Sequence, residues 1–197
     1  MTEKKNVRPK SRDLIMNAME SILNQDSFEA ATVDAVIERS GVARGTFYYN
    51  FPSKNAVIHA LARRAAQPMV MRARERLSEA GSLSDVLTDI AQGIADWNQQ
   101  HPKLGRAVLS SIYDERGVPM PPDPNNPESF RSFLSDVFLM SQKRGEIRED
   151  IPAMNLSLMF IGMLYQGLFV WFARPDSANL SLWAQQSASL FLEGVKL

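Results

Sequence analysis

Apolar residues recur at helical spacing along most of the chain. Such stretches follow one another up to the C-terminus, and no run of alternating apolar and polar residues indicates a strand. The pattern predicts an all-α protein of about nine helices without a credible strand. The first stripe, between Pro9 and about Gln25, consists of Leu14, Ile15, Ala18, Met19, Ile22 and Leu23.

Glycine and proline set the expected ends of these helices. A long helix is predicted from Ser53 to near Glu79, with Pro68 expected to kink it or divide it in two. Gly145 is expected to stop a helix that begins near Glu128. Five prolines fall between Arg116 and Pro127, which predicts a loop that either gates a pocket or simply links two helices.

Composition narrows the range of functions. The 197 residues include no cysteine and only two histidines, so disulfides, thiol chemistry and most zinc sites are not expected. No clustered Ser/His/Asp set is present either, and we expect neither an enzyme nor a cofactor or metal. No apolar run follows the basic N-terminal residues, which favours a cytoplasmic protein without a signal peptide.

Charge is distributed unevenly along a chain of zero net charge. Residues 1–66 contain ten Lys and Arg against seven Asp and Glu, and the remainder contains twelve against fifteen. A weakly basic N-terminal third suits a phosphate backbone. An imbalance this small is also compatible with chance, so charge alone does not decide the function.

The stretch Thr32–Lys54 has the pattern of a helix-turn-helix, in which the second helix enters the DNA major groove. Thr32 is placed to cap the first helix, and Gly41 stands where the turn needs a positive φ. Phe47 and Phe51 are expected to be buried. The rest of the second helix is then expected to face outward, namely Arg44, Gly45, Thr46, Tyr48 and Tyr49.

These outward residues suit DNA. Tyrosine hydroxyls bond phosphates, glycine allows close approach of the backbone, and arginine binds guanine or phosphate.

The segment Gly41–Lys54 closely resembles the signature of the TetR/AcrR family of transcriptional regulators. The resemblance implies an N-terminal three-helix DNA-binding domain over residues 1–52, and a helical ligand-binding and dimerisation domain over residues 53–197. It implies DNA contacts by Thr32, Ala43, Arg44, Gly45, Thr46, Tyr48, Tyr49 and Lys54.

One position departs from the family pattern. Members often have Ser or Thr where this chain has Ala43, so a helix cap and a phosphate contact are expected to be missing there.

Residues 151–173 contain no charge and are long enough to span a bilayer. Polar residues within the segment favour instead a helix buried on most sides, against its own core and a partner subunit. The family resemblance likewise implies a homodimer, formed through the last two helices. The residues predicted at that interface are Gly162, Gly167, Trp171, Trp183, Ser187 and Phe191.

The C-terminal part is rich in aromatic residues and methionine, which suits a pocket for a small hydrophobic or aromatic effector, although most of these residues are also expected in a core. The leading hypothesis is a homodimeric repressor released from a palindromic operator by such an effector. The alternative is a DNA-binding regulator controlled by a protein partner. The pocket residues predicted are Trp97, Phe138, Phe160, Met163 and Phe169.

Overall fold

The computed structural model describes residues 10–26, 28–78, 81–111, 130–176 and 178–197. Within these ranges the chain forms nine α-helices and no strand, apart from one isolated bridge between Ile147 and Lys196. The prediction of an all-α protein is confirmed. The helices are α1 (Ser11–Gln25), α2 (Val33–Ser40), α3 (Arg44–Asn50), α4 (Lys54–Ser78), α5 (Leu83–Gln100), α6 (Pro102–Ser110), α7 (Phe130–Lys143), α8 (Ala153–Ala173) and α9 (Leu180–Val195).

The chain divides into two compact units. The first contains the described residues up to Ala62 together with Lys103–Ser111, and the second contains the rest. The helix α4 therefore contributes residues to both. All three tryptophans of the chain belong to the second unit.

In the first unit, α1 packs against both α2 and α3. The Lys103 ammonium of α6 donates hydrogen bonds to the carbonyls of Asn24 (2.9 Å) and Gln25 (3.1 Å) at the end of α1. A cation is favoured there, because the last carbonyls of a helix have no partner within the helix and carry a partial negative charge. On α4, His59 Nε2 lies 3.3 Å from the carbonyl oxygen of Ser111.

Several helix ends follow the local sequence. The side chains of Thr32, Ser82 and Asn179 each accept a hydrogen bond from a backbone N–H three residues further on, and so cap α2, α5 and α9. Gly41 and Gly145 both have a φ of 68°, the left-handed conformation that glycine adopts with little strain. The predicted turn at Gly41 and the predicted stop at Gly145 are thus confirmed.

Pro68 does not divide the long helix, since α4 continues through it from Lys54 to Ser78. The proline is exposed, so water can replace the backbone hydrogen bond that its missing N–H removes. Residues 112–129, which follow α6, lie outside the described residues, and the predicted proline-rich loop 116–127 is among them.

In the second unit, α5 packs on α9, and α8 packs on both α7 and α9. The rings of Phe138, Phe160 and Phe191 form the centre of this core, with centroids 5.1 to 6.4 Å apart. The end of α9 is tied to the segment after α7, because Arg148 N–H donates to the carbonyl of Val195 at 2.9 Å.

Among the described helices, α8 alone is long and apolar enough to cross a membrane by length and composition. Only 39% of its apolar window is buried. A single chain therefore leaves much of this helix uncovered, and its predicted burial against a partner subunit stays a prediction. The exposed stripe includes Met154, Leu158, Met159, Gly162 and Val170.

Candidate nucleic-acid interface

The geometry of a helix-turn-helix is set by residues that face inward. Phe47 is fully buried and Phe51 is 2% exposed, and their ring centroids lie 6.5 Å apart. Together they anchor α3 from one side. Val36 on α2 is also fully buried, whereas Val33, Ile37 and Val42 are only half-buried.

The opposite side of α3 is exposed and aromatic. Tyr49 is 90% exposed and Tyr48 is 48% exposed, and the ring of Tyr48 packs edge-on against Phe47, with centroids 5.3 Å apart. Arg44 and Gly45 at the start of the helix are exposed as well, but Thr46 is half-buried. Four of the five residues predicted to face outward on α3 are therefore on the surface.

Arg44, Lys54 and Arg12 each have a defined partner in this unit. The Arg44 guanidinium on α3 forms an ion pair with the Asp34 carboxylate on α2. The Lys54 ammonium lies 4.1 Å from the centroid of the Phe28 ring, and the Arg12 guanidinium lies 4.3 Å from that of Phe51. Such cation–aromatic contacts restrict long side chains while leaving their charge unneutralised.

Sequence reasoning did not identify Asp34 or Arg12. Arg12 also donates a hydrogen bond to the Asn50 carbonyl at 3.3 Å, across 38 residues of sequence. The feature that could have pointed to Arg12 is its exposed position on α1, beside a helix that ends in aromatic residues. The feature that could have pointed to Asp34 is weaker: it is an acidic residue at the start of a helix, in a weakly basic segment.

Thr32 and Ala43 were both predicted to contact DNA and lie at the starts of α2 and α3, but only one of them caps its helix. The Thr32 hydroxyl accepts a hydrogen bond from the N–H of Ala35 at 3.2 Å, so it already caps α2. Ala43 is the N-cap residue of α3 and provides no side-chain hydrogen bond. The first amides of α3 are thus left without a side-chain cap, as expected from the sequence departure at this position.

The residues predicted to line an effector pocket lie on three helices of the second unit, α5, α7 and α8. Phe138 and Phe160 are both fully buried and pack against each other. Trp97 is half-buried on α5, with its ring 5.6 Å from that of His101. Met163 and Phe169 are half-buried on α8.

The residues predicted at a dimer interface differ in how far a single chain buries them. Gly167, Ser187 and Phe191 are buried within a single chain, Trp171 is half-buried, and Gly162 and Trp183 are on the surface. Gly167 has a reason to be glycine, since a Cβ there would clash with Cδ1 of Trp183. Trp183 is held over it by a hydrogen bond from Nε1 to the Met163 carbonyl, at 2.9 Å.

Comparisons with known proteins agree with this geometry. Residues 15–61 match the family described as bacterial regulatory proteins, tetR family. The HTH-type transcriptional regulator UidR of Escherichia coli (strain K12) is 23% identical over 179 residues, which cover 89% of this chain and 88% of UidR.

Solved structures share the fold. FadR of Thermus thermophilus, a TetR family transcriptional repressor solved in complex with lauroyl-CoA, superposes with a TM-score of 0.76 at 18% identity, over 93% of this chain and 94% of that one. FadR of Bacillus subtilis, solved in complex with stearoyl-CoA, gives 0.69 at 15% identity, over 92% of this chain and 98% of that one.

The fold and the exposed face of α3 define a DNA-binding transcriptional regulator of the helix-turn-helix class. Its all-helical architecture agrees with that of the solved regulators. The match of residues 15–61 to the tetR family model confirms the resemblance to TetR-family regulators seen in the sequence.

Proposed function

We propose that this chain is a homodimeric repressor that binds a palindromic operator and leaves it when a small hydrophobic or aromatic effector binds. In this proposal residues 1–52 bind DNA, residues 53–197 bind the effector and the second subunit, and the protein acts in the cytoplasm, where its operator lies. The single observation that carries the proposal is the exposed face of α3.

The buried side of α3 holds the helix in place, and its exposed side carries groups suited to binding nucleic acid. Tyr49 is exposed over 90% of its surface. A large aromatic ring is not favoured at a surface position without a binding partner, because contact between an apolar ring and water is unfavourable. The hydroxyls of Tyr49 and Tyr48 are suited to phosphates, while Arg44 supplies the donors that read guanine. Thr32, Ala43, Gly45, Thr46 and Lys54 complete the proposed contact set.

The test is DNA binding at fixed salt, on duplexes from the region flanking the chain's own gene. We expect one shifted band with the wild type and loss of that band with Arg44→Ala combined with Tyr48→Ala. The matched control is Lys143→Ala, which removes a cation from the exposed end of α7 in the other unit. Unchanged binding by the double variant would contradict the proposal.

The proposed dimer uses the exposed stripe of α8 and its neighbours Leu182, Trp183 and Leu190 on α9. Helix faces without charges are typical of subunit interfaces. A two-fold dimer would place two α3 helices about 34–36 Å apart, one helical turn of DNA, so that each reads half of a palindrome.

Self-association can be tested by sedimentation. Leu158 on α8 and Leu139 on α7 are 41% and 44% exposed, so they offer equivalent sites for the same substitution. We expect Leu158→Arg to dissociate the dimer and weaken operator binding, and Leu139→Arg to leave both intact. A monomeric wild type, or equal effects of the two variants, would contradict the proposed interface.

The effector is proposed to bind in the second unit and to act through α4. It has to favour the non-binding arrangement by about 10⁴-fold to change a 99:1 population into 1:99. The acyl-CoA complexes of the two FadR proteins make lauroyl-CoA and stearoyl-CoA suitable first probes.

We expect an acyl-CoA to raise the melting temperature and release the operator, with free coenzyme A as the control. A change in tryptophan emission that disappears in Trp97→Phe would support a pocket lined by Trp97, Phe138, Phe160, Met163 and Phe169. Operator release by a co-purified protein, with no response to any small molecule, would instead support control by a protein partner.

A further inference from the structure

Asp34 and Arg44 form an ion pair between the two helices of the DNA-binding motif. The carboxylate Oδ1 of Asp34, in the first turn of α2, accepts from Nη2 of Arg44, the first residue of α3. Both side chains are well exposed, at 74% and 61% respectively. The pair therefore lies in solvent, on a motif whose partner is DNA.

The pairing of Asp34 with Arg44 itself adds little to stability. Exposed ion pairs contribute little to folding because water and salt screen them. Asp34 is already favoured at the start of α2 by the partial positive charge of the helix N-terminus, and the Thr32 hydroxyl already caps that helix. A carboxylate beside a DNA-binding arginine moreover opposes the approach of phosphate.

The geometry favours selective contacts by Arg44. The ion pair engages Nη2, while a guanidinium has five N–H donors in a rigid planar fork. Guanine is read by two parallel donors, at O6 and N7. A carboxylate that holds one side of the fork restricts the side chain and leaves the remaining donors for a base edge.

We propose that Asp34 determines the sequence specificity of this interface, by orienting Arg44 towards a base edge and by opposing its contacts with phosphates of unrelated DNA. The inference rests on the proposed DNA-binding function and assigns a positioning role to a residue of α2. Asp34 itself need not touch DNA, since it acts through Arg44.

The experiment compares Asp34→Asn with the wild type on the operator duplex and on a scrambled duplex of equal length, by fluorescence anisotropy over a salt series. We expect the variant to bind the scrambled duplex more tightly, with a log–log salt slope that is steeper by about 0.9, the value of one added phosphate contact. The ratio of operator to scrambled affinity should fall by about fivefold or more, the lower end of what an arginine–guanine contact discriminates.

Glu38→Gln is the matched control, because Glu38 is another exposed carboxylate on α2, one turn further along. It makes the same change in net charge, and we expect it to leave the affinity ratio within about twofold of the wild type, as for a rim charge. Asp34→Glu should retain most of the ratio, since the longer carboxylate can still reach Arg44. In an Arg44→Ala background, Asp34→Asn should no longer change the ratio.

The outcomes separate this inference from the proposed function. A wild type without any preferred duplex would overturn both. A wild type with a clear preference, combined with equal ratios for Asp34→Asn and Glu38→Gln, would overturn the role of Asp34 alone. Both substitutions are at exposed positions, and equal unfolding curves would confirm that the comparison is between folded proteins.

Discussion

The helices α3 and α8 both expose large side chains, and they do so with different chemistry. The short helix α3 exposes tyrosines, whose rings end in hydroxyls, next to an arginine. The long helix α8 exposes methionine, leucine and valine, which have nothing to offer a phosphate. Exposure alone therefore does not show what a surface binds. The polar ends of the exposed side chains distinguish a surface suited to DNA from one suited to protein.

The largest effect should come from the buried side of α3. We expect Phe47→Ala to lower the free energy of unfolding by about 3–5 kcal/mol, because it empties a site that the ring fills completely. DNA binding should be lost with it. Tyr49→Ala is the control on the exposed side, where the free energy of unfolding should change by less than about 0.5 kcal/mol.

Denaturant unfolding and DNA binding, measured on both variants, check this division. A Tyr49→Ala variant as unstable as Phe47→Ala would show that the exposed tyrosine is part of the fold. The distinction between the two sides of α3 would then be wrong.

Two glycines on α8 offer the corresponding test for that helix. Gly167→Ala should destabilise the protein by about 1–3 kcal/mol, since its Cβ would meet the Trp183 ring and force it away from the Met163 carbonyl. Gly162→Ala is the control for crowding within one chain, because nothing in the same chain lies within 4 Å of its added Cβ. In the Leu158→Arg background, which is expected to remove the proposed dimer interface, it should stabilise α8 by about 0.5–1 kcal/mol.

Thermal unfolding followed by tryptophan emission measures both effects. If both glycine variants were equally destabilised, crowding by Trp183 would not be the cause.

A smaller effect is expected at the start of α3, where Ala43 provides no side-chain cap. Ala43→Ser should stabilise the protein by about 1 kcal/mol, by accepting a hydrogen bond from an unpaired amide of the first turn. Ala43→Val, which adds a side chain without an acceptor, should give no gain. Equal unfolding free energies for the two variants would contradict the missing cap.

The smallest effect concerns pH and the buried phenol of α8. Burial raises the pKa of Tyr165 above its ordinary value of about 10, although the charge of Arg131 partly opposes this. Because the unfolded chain loses the phenol proton first, stability should be unaffected below pH ~10 and should fall as the pH rises above it. Tyr165→Phe should show a smaller fall in denaturant unfolding between pH ~8 and ~11. Identical curves would contradict the burial of the hydroxyl.

Helix positions were largely predictable, because glycine, proline and capping residues act locally. Gly145 and Thr32 illustrate this, since each sets a helix end through its own backbone or hydroxyl. Pro68 shows the limit of the rule: its local cost does not exceed the gain from continuing a 25-residue helix. The exposed face of α3 was predictable for a similar reason, as its buried residues fix which side remains.

The ion pair between Asp34 and Arg44 was not predictable, because it depends on how the turn at Gly41 sets one helix against the next. The aromatic residues of the second unit raised a different difficulty. Phe138 and Phe160 have the spacing of any buried helix face, and sequence alone does not distinguish a ring that fills a core from one that lines a cavity. Only packing shows that these two meet each other and Phe191.

The distribution of the tryptophans has a practical consequence for optical work. Trp97, Trp171 and Trp183 all belong to the second unit. The intrinsic near-ultraviolet emission of the DNA-binding unit therefore comes from tyrosine and not from tryptophan. Excitation at the red edge of the absorption band therefore observes one unit selectively, without any label. An emission change on adding an effector would originate where the effector is proposed to bind, and an emission change on adding DNA would be a direct optical record of communication between the units.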